Sequence, residues 1–323
     1  MTPFYANGIY LPEIDLWLDP RQPRRRAIVS HAHSDHTAGH DETWCTTATA
    51  ALMRTRLRSA GRFRELGFGQ PVAWGDATVA LHPAGHILGS AQVAVARDGC
   101  RLLYSGDFKL RVSRTAEPID VPETDLLVLE TTYARPHYRF PPAEEVVASI
   151  GEWCRTVLER EETPILFCYA LGKGQELLAC LGELGVPIAL HRAHAEMAAI
   201  YRALGVALPD YTVHAPGAPI PGVLIAPPQS RRAQWFQALA GVRTAFVSGW
   251  AADAGTRWRM GVDACFPLSD HADYGELLEY VERSGAKRVF TVHGFAHEFA
   301  LDLRLRGLDA TALPDAPAQL ALF

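Results

Sequence analysis

The chain has 323 residues, of which 48% are hydrophobic and 21% charged, and its formal net charge is −5. This composition is that of a globular protein with one large domain or two ordinary ones, and it excludes a disordered chain. No apolar run reaches the roughly 18 residues of a membrane helix, and the N-terminus lacks the pattern of a secretory signal, so we expect a cytoplasmic protein. The negative charge argues against a protein that coats nucleic acid, although metal ions or a local basic channel would still allow a nuclease.

The predicted elements change in type along the chain. Short β-like runs separated by Gly, Asp and Pro fill the first 130 residues, among them AIVS, ATVALH, RLLYSGD and LLVLE. A helical pattern follows over 144–160, and strands then alternate with helices to the end of the chain. This alternation predicts parallel βα units after a sheet-rich first part.

One segment after the strand AIVS is unusually rich in titratable groups. The stretch HAHSDH places His31, His33, Asp35 and His36 within six positions. Alternate residues of an extended chain point the same way, so His31 and His33 share a face. Neutral imidazole and carboxylate are ligands for zinc and similar divalent ions. A lone HxH is commonly a surface pair, but four such residues directly after a hydrophobic strand predict a metal site.

Further ligands are expected at other strand ends. His86 lies in HPAGHILGSA after the strand ATVALH, and Asp107 lies in YSGDF after RLLYS. Turns of this kind carry site residues on a rigid scaffold. We expect Asp107 to bridge two ions, and Asp19, at the end of the strand in LWLDP, to orient a ligand histidine rather than bind metal.

In this order, Asp19, HAHSDH, His86 and Asp107 resemble the motifs of the metallo-β-lactamase fold superfamily. The resemblance implies an α/β fold, an αββα sandwich with a dinuclear site along one edge of its sheets. The superfamily is catalytically broad, so this resemblance implies a hydrolase and little more.

Three more segments narrow the resemblance. AGHILGSA, ALGKGQELL and SDHADY with a later VHG are similar to motifs of the β-CASP nucleases, in which an α/β domain is inserted into the metallo-β-lactamase core and nucleic acid runs between the two. The implied domains are a core at 1–141, a β-CASP insert at 142–250 and a return of the core at 251–323.

The β-CASP resemblance also implies roles for individual residues. One ion would be held by His31, His33, His86 and Asp107, and the other by Asp35, His36, Asp107 and His293. The ions would activate water and neutralise charge on the phosphate, with Asp35 counted among the catalytic groups. His271 would protonate the leaving oxygen as general acid, oriented by Glu130. Lys173, at the start of a predicted helix, would contact a backbone phosphate.

The N-terminal run and the length most resemble bacterial DNA-ligase-associated exonucleases. This implies a metal-dependent DNA exonuclease that acts in DNA repair beside an ATP-dependent ligase and a helicase. The alternative is an RNA-processing β-CASP ribonuclease, since a histidine at the position of His293 is more typical of RNA enzymes in this group. A small-molecule hydrolase would need neither an insert nor Glu130 and His271, and a non-catalytic scaffold would not need the full ligand set. Histidine-rich ligation favours Zn²⁺, while the mixed nitrogen and oxygen set also accepts Mn²⁺.

Overall fold

The computed structural model describes residues 1–57, 61–183 and 185–313. These residues form two compact units, one made of Met1–Tyr138 together with the chain from His271 onward, and the other made of Arg139–Asp270. In the described part of the chain, no helix has the length and apolar character required to cross a membrane.

The first unit contains two mixed sheets. Sheet I has, in order across the sheet, β1 (Phe4–Tyr5), β2 (Ile9–Leu11), β3 (Leu16–Leu18), β4 (Arg26–Ile28), β5 (Glu42–Cys45) and β6 (Arg62–Glu65). Sheet II has, in order, β19 (Asp309–Ala312), β18 (Arg288–Val292), β11 (Leu126–Glu130), β10 (Cys100–Tyr104), β9 (Ala91–Arg97), β8 (Ala77–Pro83) and β7 (Val72–Trp74). Its helices are α1 (Thr47–Arg56), α7 (Tyr274–Ser284) and α8 (Ala296–Leu305).

The core of the first unit lies between the two sheets. Side chains of sheet I such as Leu18 and Trp44 share one buried cluster with Val93 and Leu102 of sheet II. The opposite face of sheet II packs against α7 and α8, for instance through Tyr280. Sheet-on-sheet packing with helices outside is the expected αββα sandwich, and this fold class is confirmed together with its inserted α/β unit.

The second unit is built on one parallel sheet. Sheet III has, in order, β14 (Thr212–Val213), β13 (Ile188–Leu190), β15 (Val223–Ala226), β12 (Thr163–Phe167), β16 (Val242–Val247) and β17 (Ala264–Phe266). Its helices are α2 (Ala143–Glu159), α3 (Lys173–Gly182), α4 (Arg192–Ala203), α5 (Gln234–Gln237) and α6 (Thr256–Met260). Successive residues of β12 enter different cores, Leu166 on one face and Phe167 on the other, as expected for a sheet covered on both sides. Short 3₁₀ helices lie at Pro12–Ile14, Pro228–Arg232 and Gly249–Ala252.

The limits of the second unit differ from the predicted insert at 142–250. The unit begins at Arg139 and ends at Asp270. Its end is later than predicted because β17 pairs in parallel with β16 and so completes sheet III. The chain rejoins the first unit at His271, directly before α7.

The fully buried His194 of α4 predicts a pH dependence of stability. Its Nε2 lies 3.5 Å from Cys168 Sγ, and burial, followed by the charge of His191, lowers the pKa of His194 to about 3. The unfolded chain takes up this proton near pH 6.5, so the free energy of unfolding falls as the pH drops from 6.5 toward 3, by about 1.4 kcal/mol per pH unit. Urea unfolding measures this effect at pH 6.5 and at pH 4.5. Between these two pH values, the free energy of unfolding should fall by about 2–3 kcal/mol less in His194→Leu than in the wild type. Equal losses in both proteins would contradict the prediction.

Candidate metal centre

The loop after β4 carries the residues of HAHSDH. Strands β3 and β4 are parallel neighbours in sheet I, so Asp19 and Ser30 leave the sheet at the same edge. Asp19 Oδ1 accepts a hydrogen bond from the Ser30 backbone nitrogen at 2.6 Å, and Oδ2 contacts His36 Nδ1 at 2.8 Å. Ser30 Oγ contacts His31 Nδ1 at 2.9 Å. These contacts fix the planes of the His31 and His36 rings, so the Nε2 atoms of both rings remain for other partners.

Two loops of sheet II bring His86 and Asp107 to the same place. His86 follows β8, and its backbone nitrogen donates to Ser90 Oγ at 3.1 Å. Asp107 follows β10 after Gly106, whose φ of +54° belongs to the left-handed region. A Cβ at Gly106 would stand 3.0 Å from the Ser30 Cβ, so the glycine permits the close approach of the two loops.

Four predicted ligands of one ion converge on a single point. His31 Nε2 and His86 Nε2 each lie 3.1 Å from His33 Nδ1, and His31 Nε2 lies 3.5 Å from Asp107 Oδ2. One ligand atom from each of these four residues lies within 4.8 Å of all the others.

These four ligand groups suit a cation with tetrahedral coordination. Nitrogen ligands at 2.0–2.1 Å from zinc stand about 3.4 Å apart in tetrahedral geometry, close to the separations among these four groups. His33 Nδ1 faces two imidazole nitrogens at once, His31 Nε2 and His86 Nε2, which is the arrangement of ligand atoms around one cation.

The four residues predicted for a second ion are less tightly gathered. His36 Nε2 lies 3.3 Å from Asp107 Oδ2 and 3.8 Å from Asp35 Oδ2. The Asp35 side chain is 59% exposed, and the His293 ring centroid lies 5.7 Å from that of His36. Asp107 Oδ2 is thus within 3.5 Å of a histidine from each predicted set, which is the position that a bridging carboxylate requires.

The protonation states of His31 and Asp107 favour metal binding, whereas His36 must lose a proton before it can bind an ion. Burial, and then the charge of His36, holds the pKa of His31 well below its usual value, so His31 is neutral. Burial also disfavours the cationic form of His36, but Asp107 and Asp35 outweigh it and raise the pKa of His36 well above the usual value. Burial alone would raise the pKa of Asp107, but His36 and His271 hold it well below its usual range. A neutral imidazole and an ionised carboxylate are the forms that bind metal.

His271 and Glu130 form a pair at the rim of this centre. His271 Nδ1 lies 3.1 Å from Glu130 Oε1, and His271 Nε2 lies 4.0 Å from Asp107 Oδ2. Glu130 is only 1% exposed, and its Oε2 accepts from the Thr132 backbone nitrogen at 3.0 Å. The Glu130 carboxylate is therefore fixed in position. When Nδ1–H of His271 donates to Glu130, Nε2 of His271 faces the cluster of metal ligands.

Lys173 has structural partners of its own. The side chain is 1% exposed, and Nζ lies 3.2 Å from Glu176 Oε2 and 3.6 Å from Asp270 Oδ1. Burial alone would lower the pKa of Lys173, but Asp270 and Glu176 raise it, so the amine is charged and its charge is neutralised inside the second unit. The predicted phosphate contact stays a prediction.

Several supporting residues were not anticipated from the sequence. The Tyr104 hydroxyl donates to Asp19 Oδ2 at 2.9 Å, and burial raises the pKa of Tyr104 well above its usual value, so the hydroxyl stays protonated. The only hint in the sequence is the position of Tyr104 at the strand end in YSGD, three residues before Asp107.

Glu276 ties the Asp107 loop to the His271 loop. Its Oε1 accepts from the backbone nitrogens of Leu110 and Arg111, at 3.1 and 2.9 Å, and its Oε2 accepts from the Asp273 nitrogen at 3.0 Å. Arg111 Nη2 in turn donates to the His271 carbonyl oxygen at 2.9 Å. Glu276 also closes the capping box of α7 with Asp273, a pattern visible as DYGE in the sequence.

We expect Asp19→Asn to weaken the centre. Both carboxylate oxygens of Asp19 face donors, so whichever way an asparagine amide turns, its NH₂ group meets one of them. The free energy of unfolding should fall by about 1–3 kcal/mol in chelator-treated protein, and metal affinity by about 10- to 100-fold. Denaturant titration and competitive metal titration measure the two effects.

Asp15→Asn is the matched control, because Asp15 Oδ1 accepts from the Tyr10 hydroxyl at an exposed site. Its effect on the free energy of unfolding should stay within about 0.5 kcal/mol. Equal effects of the two substitutions would mean that Asp19 does not orient the ligands.

The chain is similar to several known proteins. A family model for a Zn-dependent metallo-hydrolase RNA specificity domain matches residues 259–301. The chain is similar to a probable DNA ligase of Opitutus terrae, with 47% identity over 96% of this chain. It is also similar to the 5′ exonuclease Apollo of Gallus gallus, with 31% identity over 55% of this chain, and to an RNase J-like protein of Methanocaldococcus jannaschii, with 30% identity over 48%. The matched parts are 31%, 42% and 43% of these relatives, so the chain spans less than half of their length.

Proposed function

Because the chain belongs to the β-CASP group of metallo-β-lactamase-fold nucleases, we propose that it is a metal-dependent DNA exonuclease that hydrolyses phosphodiester bonds with two divalent ions. The observation that carries the proposal is the cluster of His31, His33, His86 and Asp107 with the His271–Glu130 pair at its rim. The first feature suits metal-assisted hydrolysis, and the second suits protonation of a poor leaving group.

We propose a role for each residue of the centre. His31, His33, His86 and Asp107 would hold one ion, and Asp35, His36, Asp107 and His293 the other, with Zn²⁺ favoured and Mn²⁺ acceptable. When bound, the ions supply a water of lowered pKa and positive charge beside the phosphate oxygens. Asp19 holds the His36 ring by its Nδ1, which leaves Nε2 for binding.

His271 is the proposed general acid. Glu130 accepts a hydrogen bond from Nδ1–H and stabilises the imidazolium form, so that Nε2 carries the proton that the leaving oxygen takes up as the P–O bond breaks. Glu276 and Arg111 hold the backbone around His271 and keep this nitrogen beside Asp107.

A role beside a DNA ligase is supported by one comparison. The probable DNA ligase of Opitutus terrae aligns with 96% of this chain through 31% of its own length. If that relative combines a ligase activity with a nuclease domain like this chain, the two activities would link the removal of nucleotides to the sealing of the strand. We therefore propose that this chain acts in DNA repair with an ATP-dependent ligase and with a helicase.

The second candidate is an RNA-processing nuclease of the same fold. It is favoured by the family model, whose description refers to RNA specificity, and by the RNase J-like relative. His293 also favours RNA, whereas the match to Apollo favours DNA. Both candidates use the same metal centre, so only the choice of sugar separates them.

A two-step assay tests the proposal. Metal-reconstituted protein should turn over bis(p-nitrophenyl) phosphate and leave thioesters intact; turnover of thioesters alone would reject the nuclease class. In a mixture of one sequence as single-stranded DNA and as RNA with distinct labels, DNA should disappear first. Faster loss of RNA would replace the DNA assignment with the RNA-processing one.

A further inference from the structure

The second unit exposes a tryptophan that its own core does not use. Trp258 of α6 is 82% exposed, the most exposed large hydrophobic side chain in the described part of the chain. The neighbouring Thr256 and Met260 are buried and hold the short helix against the unit. The indole is therefore presented to solvent on an anchored helix rather than on a free loop.

Two arginines flank this tryptophan in the sequence of α6, and a third contacts the end of the helix. The Arg257 guanidinium carbon lies 6.0 Å from the Trp258 ring centroid, and Arg259 follows on the same helix. Arg231 Nη2 donates to the Gly261 carbonyl oxygen at 3.0 Å and so brings the turn with Arg231 and Arg232 to the end of α6. We define the basic-aromatic patch as the five residues Arg231, Arg232, Arg257, Trp258 and Arg259.

The charge of the patch is opposite to that of the whole chain. Arg259 Nη2 lies 3.5 Å from Asp253 Oδ2, so one of the four positive charges has a carboxylate partner. The chain as a whole carries −5, and a local excess of arginine on such a protein favours a polyanion at this place. Guanidinium groups bind phosphate in a bidentate manner, which suits this partner.

We propose that the basic-aromatic patch binds single-stranded nucleic acid, with an unpaired base stacked on Trp258 and the arginines on the adjacent phosphates. An indole face stacks on every base without regard to sequence, but a duplex keeps the faces of its bases covered. The inference rests on the proposed nuclease function and adds to it a strand state, single-stranded, and a contact outside the metal centre.

Fluorescence anisotropy with a labelled dT₁₅ oligonucleotide tests the patch in the full chain, with EDTA to prevent cleavage. Trp258→Ala should weaken binding by roughly 5- to 150-fold, and Trp258→Phe should bind nearly as tightly as the wild type. Arg257→Ala should reduce the slope of log K against log salt by about 0.7, the value for one phosphate contact with a single strand. The controls are Leu305→Ala and Arg192→Ala, which remove side chains that are 79% and 83% exposed. Both should bind dT₁₅ with nearly the wild-type affinity and salt dependence.

Hydrolysis of bis(p-nitrophenyl) phosphate separates this proposal from the proposed function, because this substrate has no base to stack. All patch variants should hydrolyse it at the wild-type rate. Wild-type affinity for dT₁₅ in Trp258→Ala would overturn the patch proposal and leave the nuclease proposal intact, as would equal losses in Trp258→Ala and Trp258→Phe. Loss of self-association in Trp258→Ala with unchanged oligonucleotide affinity would assign the patch to a second copy of the chain and overturn the proposal. Absence of both dT₁₅ binding and phosphodiester turnover in the wild type would reject the proposed function itself.

Discussion

Replacing Asp107 by alanine is expected to lower phosphodiester turnover by about 10³-fold or more and to reduce metal content. The Oδ2 atom of Asp107 lies between His31 Nε2 at 3.5 Å and His36 Nε2 at 3.3 Å, so its removal takes a ligand from both predicted ion sites. Turnover of bis(p-nitrophenyl) phosphate and elemental analysis of the purified variant measure both effects.

Asp120→Ala is the matched control. Asp120 Oδ2 also lies close to a histidine, 3.0 Å from His82 Nδ1, but its side chain is 63% exposed and outside the ligand cluster. Its turnover and metal content should equal those of the wild type. Full activity in Asp107→Ala, with the metal still bound, would show that Asp107 is not a metal ligand.

The second large effect is expected for His271→Ala. With DNA as substrate the turnover number should fall by about 10²- to 10⁴-fold, because the leaving alkoxide would depart without a proton. With bis(p-nitrophenyl) phosphate the loss should be much smaller, because p-nitrophenolate is a stable leaving group. The metal content should remain at the wild-type level, since His271 Nε2 contacts the cluster only at 4.0 Å from Asp107.

Glu130→Gln supplies the companion measurement. Glutamine keeps the size of the side chain but removes the charge that stabilises a protonated His271, and we expect the same dependence on leaving group in a weaker form. His82→Ala, a histidine with a carboxylate partner elsewhere in the unit, should have no effect. Loss of metal from His271→Ala, or equal losses on both substrates, would contradict the general-acid role.

Much of the centre could be predicted from the sequence because its residues follow strands. Parallel strands such as β3 and β4 end at one edge of the sheet, so residues that follow them meet even when they are distant along the chain. Asp19 and the HAHSDH loop are brought together in this way, and His86 and Asp107 come from loops of the second sheet. The sandwich fold was predictable from the same motifs.

Other features depend on contacts that no local pattern encodes. Glu276 accepts a hydrogen bond from the backbone of Arg111, which lies 165 positions earlier in the chain. In the sequence, the pattern DYGE indicates only that Glu276 takes part in a helix cap. The second compact unit extends past the predicted end of the insert at residue 250, because β17, a strand of only three residues, is defined by its pairing with β16. The burial of Lys173 could not be predicted for the same reason. One of its carboxylate partners, Asp270, lies far along the chain.

The proposed function is the removal of nucleotides from DNA with metal ions that the histidine and aspartate cluster would hold. Its most direct test is a time course on single-stranded DNA labelled at either end, with chelator-treated protein, with protein reconstituted with Zn²⁺ or Mn²⁺, and with reconstituted Asp107→Ala. We expect stepwise shortening by the reconstituted wild-type protein alone, with the position of the label giving the direction. Stepwise shortening by the chelator-treated protein, or equally by Asp107→Ala, would contradict it.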